Sequence, residues 1–155
     1  MIEQIILFFC FAFSFNFLNA VESSSANAEV QVVHEKSKWT YTIINKGKLP
    51  IISFYLSVEA PFKVSNTPKG WRVANTDGCS QVSWASTGTN PKSINATDLA
   101  PGSKLDGFQI TSKFTESTST QFHIGTWDPK KQEMGEDVQG QVQSPNSPNG
   151  NCAKD

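Results

Sequence analysis

The segment Trp39-Thr40-Tyr41-Thr42-Ile43-Ile44-Asn45-Lys46-Gly47 sets large apolar side chains two residues apart and then stops at an Asn-Lys-Gly turn. Successive side chains of a strand point to opposite faces, so Trp39, Tyr41 and Ile43 describe a strand with one buried face. The period of two continues outward from this segment. Val30 and Val32 precede it; Phe54, Leu56 and Val58 follow, then Phe62 and Val64, Trp71 and Val73, and Val82 and Trp84. Further along come Phe108 and Ile110, Phe122 and Ile124, and Val138 with Val142. Between them stand Pro68-Lys69-Gly70, Thr76-Asp77-Gly78, Thr87-Gly88-Thr89-Asn90-Pro91 and Pro101-Gly102-Ser103, residues that favour turns.

No window carries a long amphipathic helical repeat, and one core must serve every strand. The pattern predicts an all-β domain over residues 29–143, an immunoglobulin-like β-sandwich of about eight short antiparallel strands. The 155-residue chain is long enough for one such domain. Upstream, Ile5 to Leu18 is an almost unbroken run of Ile, Leu, Phe, Cys and Ala, and Ala20 follows as a small residue suited to cleavage. The run is shorter than the ~20 residues that cross a bilayer, and no basic stop-transfer cluster follows it. Residues 1–20 therefore read as a secretory signal peptide, and 21–28 as a Ser- and Ala-rich linker. The expectation is a secreted, extracellular protein that does not stay in the membrane.

Lys and Arg total 13 against 14 Asp and Glu, and removing Glu3 with the signal leaves 13 against 13 (14 − 1). A neutral chain has no global field to collect phosphate backbones, which argues against nucleic acid as a partner. Cys10 would leave with the signal, so Cys79 and Cys152 remain as an even pair. In an oxidising compartment they read as one disulfide, whose task would be to tie down the Ser-, Pro- and Asn-rich tail at 144–155. A free, reactive Cys79 is the alternative.

From Trp39 to Ser112 the succession also resembles a family. It runs through Trp39 to Asn45, Pro50-Ile51-Ile52-Ser53-Phe54, Pro68-Lys69-Gly70-Trp71, Val82-Ser83-Trp84 and Leu99-Ala100-Pro101-Gly102-Ser103-Lys104-Leu105-Asp106-Gly107-Phe108. It is similar in layout to cellulose-binding carbohydrate-binding modules, and equally to immunoglobulin-like domains of bacterial surface proteins. The resemblance implies a fold more than a ligand.

A sugar face is held by exposed aromatic rings, with amides and carboxylates at the rim fixing its orientation. Trp71 and Trp127 are the candidate platforms, each at a strand edge beside turn residues, with Asn75, Asp77, Gln81 and Asp128 as candidate rim partners. The alternative is that these indoles cap the core; Trp39 and Trp84, in phase with apolar neighbours, read as buried. The histidines His34 and His123, with Asp128 or Glu35, could make a two-histidine, one-carboxylate metal site, but no ligand pair has metal-binding spacing within one element, and solvated strand histidines are the expectation. The acidic run Glu133-Met134-Gly135-Glu136-Asp137 lacks the ligand spacing of an EF-hand loop and reads as a solvated turn. Neither a metal nor a cofactor is expected. Asn95-Ala96-Thr97 is an N-glycosylation sequon that would mark an exposed edge. The sequence thus points to a secreted, non-catalytic binding module with extracellular polysaccharide as ligand. A surface or matrix protein meeting another protein is the alternative, and a small secreted enzyme comes third.

Overall fold

The computed structural model describes residues 26–88 and 97–148, and every structural statement below concerns these. The expected signal peptide, residues 21–25 of the linker, Asn95 and Cys152 lie outside them. The chain forms strands β1 (Ala28–Glu35), β2 (Lys38–Asn45), β3 (Ile51–Ser57), β4 (Lys63–Asn66) and β5 (Trp71–Thr76). It continues through β6 (Gln81–Ser86), β7 (Lys104–Thr111), β8 (Ser117–Asp128), β9 (Glu133–Met134) and β10 (Val138–Pro145). Two antiparallel sheets result. The smaller has the order β1-β2-β7-β4, the larger β10-β8-β3-β6-β5, with β9 pairing β8 off that path. This is an all-β sandwich, as the period-two pattern requires. Its smaller sheet reproduces the spatial A-B-E-D order of immunoglobulin domains, and β10-β8-β3 the G-F-C order. One connection departs from that plan: β4 crosses to the small sheet directly after β3, before β5 and β6 extend the large one.

The opening segment is the middle of the small sheet. Trp39 lies opposite His34 and Ile110, and Tyr41 opposite Val32 and Phe108, so its alternation continues across the neighbouring strands. Facing it, Phe54, Leu56, Val82, Trp84, Phe122 and Ile124 come from the large sheet, and both sets are buried. At the centre Phe54 stacks on Trp84 with centroids 5.4 Å apart and planes 10° from parallel, while Phe108 meets each of them edge-on at 5.4 Å. Each such pair contributes about 0.5–1.5 kcal/mol beyond the area it buries.

Asn45, which ends the opening segment, is buried at 1% exposure. Its Nδ2 donates to the carbonyls of Leu49 and Leu99, each at 2.9 Å, and its Oδ1 accepts from the Gly47 N–H at 3.0 Å. One amide therefore closes its own turn and pins the strand-connecting segment at Leu99, which a loop relying on water could not do. Asn45→Ala takes a donor from the carbonyls of Leu49 and Leu99, the second of which still accepts from the Ile51 N–H, and removes the acceptor of the Gly47 N–H, at about 1–3 kcal/mol for each group left unsatisfied. We expect roughly 2–4 kcal/mol less unfolding free energy in urea titrations. A change within experimental error would show that water replaces the amide.

The end of the domain differs from the sequence expectation. Residues 144–147 are tied by the fold itself: Ser144, Pro145 and Ser147 are buried, and the N–H groups of Asn146 and Ser147 donate to the carbonyls of Glu116 and Glu59, each at 2.9 Å. Their proline and serine content suggests disorder, but pairing of β10 with β8 continues to Pro145 opposite Ser117. Cys79 is disulfide-bonded. It stands at the same end of the sandwich, where Val58 donates to the Ser80 carbonyl and Phe62 to that of Gly78.

Candidate binding face

The two candidate platforms point to opposite sides of the large sheet. Trp71 is 6% exposed, packs edge-on against Phe108 with centroids 5.1 Å apart, and donates its indole N–H to the Thr97 carbonyl at 2.9 Å. It is a core residue and cannot offer a free stacking face. The turn that precedes it explains why: Gly70 adopts φ +83°, open to glycine at little cost, and swings the chain so that Trp71 enters β5 facing inward. Trp127 lies on β8 in phase with His123 and out of phase with the buried Ile124 and Thr126, so it belongs to the outer face. It is half-buried beside Met134, its cross-strand partner on β9. Its Nε1 is shielded from solvent and has no hydrogen-bond partner among the described residues.

Of the candidate rim residues, Asn75 and Gln81 share this outer face. Asn75 pairs with Ser83 across a bulge in β5, and Gln81 pairs with Ser57. Asp77 and Asp128 both lie in turns, where their carboxylates accept hydrogen bonds from nearby backbone N–H groups. Asp128 Oδ1 accepts from the N–H groups of Lys130 and Lys131 at 2.9 and 3.2 Å. Asp77 Oδ1 accepts from those of Cys79, Ser80 and Gln81 at 2.8, 2.7 and 3.0 Å, and its Oδ2 from the Ser80 hydroxyl.

These bonds shift the Asp77 carboxyl. Partial burial pushes it up, but the Ser80 hydroxyl and the three N–H groups outweigh burial and hold it well below the ordinary carboxylate range. Its folded pKa lies below its unfolded one, so its contribution is complete above the unfolded value near about 3.9 and is lost as pH falls through the folded value. The stability gap between the wild type and Asp77→Ala should hold steady above roughly pH 5 and narrow below about pH 4. A gap unchanged down to roughly pH 2 would show that the carboxylate charge plays no part.

What the sequence did not single out is the row that crosses the outer face. Gln139 pairs with His123, His123 with Tyr55, Tyr55 with Ser83 and Ser83 with Asn75, one residue from each of five strands. At about 4.8 Å per strand the row is roughly 19 Å long. In its middle Tyr55 and His123 meet edge to face, centroids 5.5 Å apart at 81°. Both are only partly buried, and the His123 Nδ1 lies 3.8 Å from the Asp137 carboxylate. Beside His123 a shallow cleft of about 190 Å³ is lined by Gln121, Phe122, His123, Gln139, Gly140 and Gln141. That volume is below the range of enclosing ligand pockets, so the face suits contact with one side of an extended molecule. Its hydrogen-bonding groups are amides and hydroxyls together with the His123 imidazole and, beside it, the Asp137 carboxylate.

His34 belongs to the other sheet, exposed and stacked on Trp39 at 3.7 Å and 9°. Among the described residues no three His, Cys, Asp or Glu side chains converge to hold a metal ion.

No family model matches this chain, and no curated protein matches it in sequence. Among solved structures it is similar to a crystal structure of a GH20 exo-β-N-acetylglucosaminidase from Vibrio harveyi in complex with N-acetylglucosamine, with TM-score 0.40 and 9% identity. It is also similar to an inactive mutant of that enzyme, with TM-score 0.41 and 12% identity. Each match covers 81% of this chain and 18% of the enzyme chain. A likeness this distant carries no argument about function.

Proposed function

We propose that the chain is a secreted, non-catalytic binding module for extracellular polysaccharide, and that the outer face of the large sheet is its binding surface. The observation that carries this reading is the Tyr55–His123 pair set in a row of amides and hydroxyls across five strands. Aromatic rings accept the C–H face of a sugar, and glutamine, asparagine and serine both donate to and accept from its hydroxyls. Trp127 lies four residues from His123 on β8 and adds a third aromatic side chain to the same face. Secretion rests on the apolar run from Ile5 to Leu18, and the pairing of Cys79 with Cys152 belongs to the same reading.

Affinity electrophoresis and pull-down of the exported protein on a set of polysaccharides test it. We expect retention by at least one, and Trp127→Ala should weaken it by about 1–3 kcal/mol, the range found for aromatic stacking on nucleobases. If no polysaccharide retains the wild type, the reading fails and a surface protein that meets another protein takes its place.

A further inference from the structure

We propose that the free edge of β1 is a self-association site, where a second copy of this chain adds its own β1 antiparallel and joins the two small sheets into one. An unpaired strand edge is a template for further pairing, and proteins block it with bulges, lysines, prolines or very short strands. Of the four strands that end the two sheets, three carry such a device. β4 has four residues, includes Lys63 and shifts register between Val64 and Asn66. β5 carries Arg72 and shifts between Val73 and Asn75. β10 follows Glu136 and Asp137 and stops at Pro145. β1 has none of these. Its eight residues pair with β2 in unbroken register and include no proline, glycine, lysine or arginine. The Lys46 N–H donates to the Asn27 carbonyl, so the backbone of Asn27 faces β2. By alternation that of Ala28, Val30, Val32 and His34 faces away, and no backbone hydrogen bond joins these four to β10 or to any other described residue. The strand is open on its sides as well: Val33 is 58% exposed, and His34 is exposed although it is in phase with the partly buried Val30 and Val32.

Register and charge choose the occupant. Pairing β1 with β4 of another copy would build an open chain of molecules, and the short, bulged β4 blocks it; pairing β1 with β1 closes about a two-fold axis. The free residues of one strand must then meet those of the other. Centred on Val32, the pairing sets Glu29 opposite the partner's Glu35 twice, and like charges directly opposite are destabilising. Centred on Gln31, it matches all four: Val30 meets the partner's Val32, and Ala28 the partner's His34. On the outer face Gln31 then meets the partner's Gln31, and Val33 the partner's Glu29, a carboxylate that Lys46 and Gln31 of its own chain already hold. The axis stands perpendicular to the sheets, so both large sheets turn their outer faces the same way. One polymer would touch both faces at once, a consequence that rests on the reading above, whereas the dimer does not.

Sedimentation equilibrium of the exported chain at rising concentration tests it. One strand against one strand is smaller than the standard interface of a stable complex, so association should set in between roughly 10 μM and 1 mM. We expect a mass that rises to twice the monomer's and no further. Gln31→Lys, which sets two lysines against each other on the axis, should weaken the dimer about tenfold or more, and so should Gln31→Glu; an equal mixture of the two variants should restore it. Lys63→Glu, on β4, should leave it unchanged. Hydrogen exchange of the Val30 and Val32 N–H groups should slow as the dimer forms, which reports on the edge without any substitution. A chain that stays monomeric to about 1 mM, association that continues past two copies, or a dimer indifferent to Gln31→Lys in which those N–H groups still exchange freely overturns the inference. A wild type that dimerises and is retained by no polysaccharide leaves the dimer standing and removes only the shared grip on a polymer.

Discussion

Trp71→Ala is expected to destabilise the protein by about 3–5 kcal/mol, the cost of emptying a large aromatic site in a packed core. Three losses combine: the indole surface 6% exposed in the folded protein, the edge-on contact with Phe108, and the hydrogen bond to Thr97. The last leaves the Thr97 carbonyl without that donor and frees the segment that Trp71 holds against β5. Thermal and urea unfolding should both report the loss, and any polysaccharide binding should fall only in proportion to the unfolded fraction. A Trp71→Ala protein with wild-type stability and no binding would contradict its place in the core. It would return Trp71 to the role of stacking platform.

Tyr55→Ala should behave in the opposite way. The ring is half-buried on the outer face, its aromatic partner there is His123, and its removal opens no cavity between the sheets. Stability should fall by about 1 kcal/mol, the scale of one aromatic pair. Binding to the retained polysaccharide should weaken by about 1–3 kcal/mol, or roughly five- to 150-fold in dissociation constant. Tyr55→Phe keeps the stacking surface and should recover most of that affinity, which separates ring contact from hydroxyl contact. Equal affinity in wild type and Tyr55→Ala, measured by calorimetry, would place the ligand elsewhere.

The contrast between these two aromatic residues shows what was legible beforehand. Strand periodicity marked each of the nine longer strands, most of which carry at least two inward apolar residues in phase; β4 carries only Val64, with Phe62 just ahead of it. It missed β9, whose two residues are both exposed and carry no phase. Trp71 was in phase with Val73, which argued for the core, yet its neighbours Gly70 and Arg72 suggested an edge. What settles its burial is Phe108, from a different strand on the opposite sheet, and no local pattern contains that. Asp77 stood in a recognised turn signal, Thr76-Asp77-Gly78. The same short side chain that makes aspartate favour turns engages both of its oxygens within the turn. The transverse row was hidden for another reason. Its members are far apart in the chain and ordinary one by one, and only strand register brings Gln139, His123, Tyr55, Ser83 and Asn75 into line.

The buried residues at 144–147 have a mechanical consequence. The chain enters the sandwich beside Asn45, where the Lys46 N–H donates to the Asn27 carbonyl, and leaves it beside Glu59, where Ser147 is held. Since β3 begins near the Asn45 turn and ends near Glu59, entry and exit lie at opposite poles of the strands. Tension between anything attached upstream and anything attached downstream therefore pulls along β1 and β10 lengthwise. Interstrand hydrogen bonds lie perpendicular to that pull and bear the load together in shear, rather than opening one at a time like a zipper. A domain loaded this way resists extension without its outer sheet face being drawn into the load path.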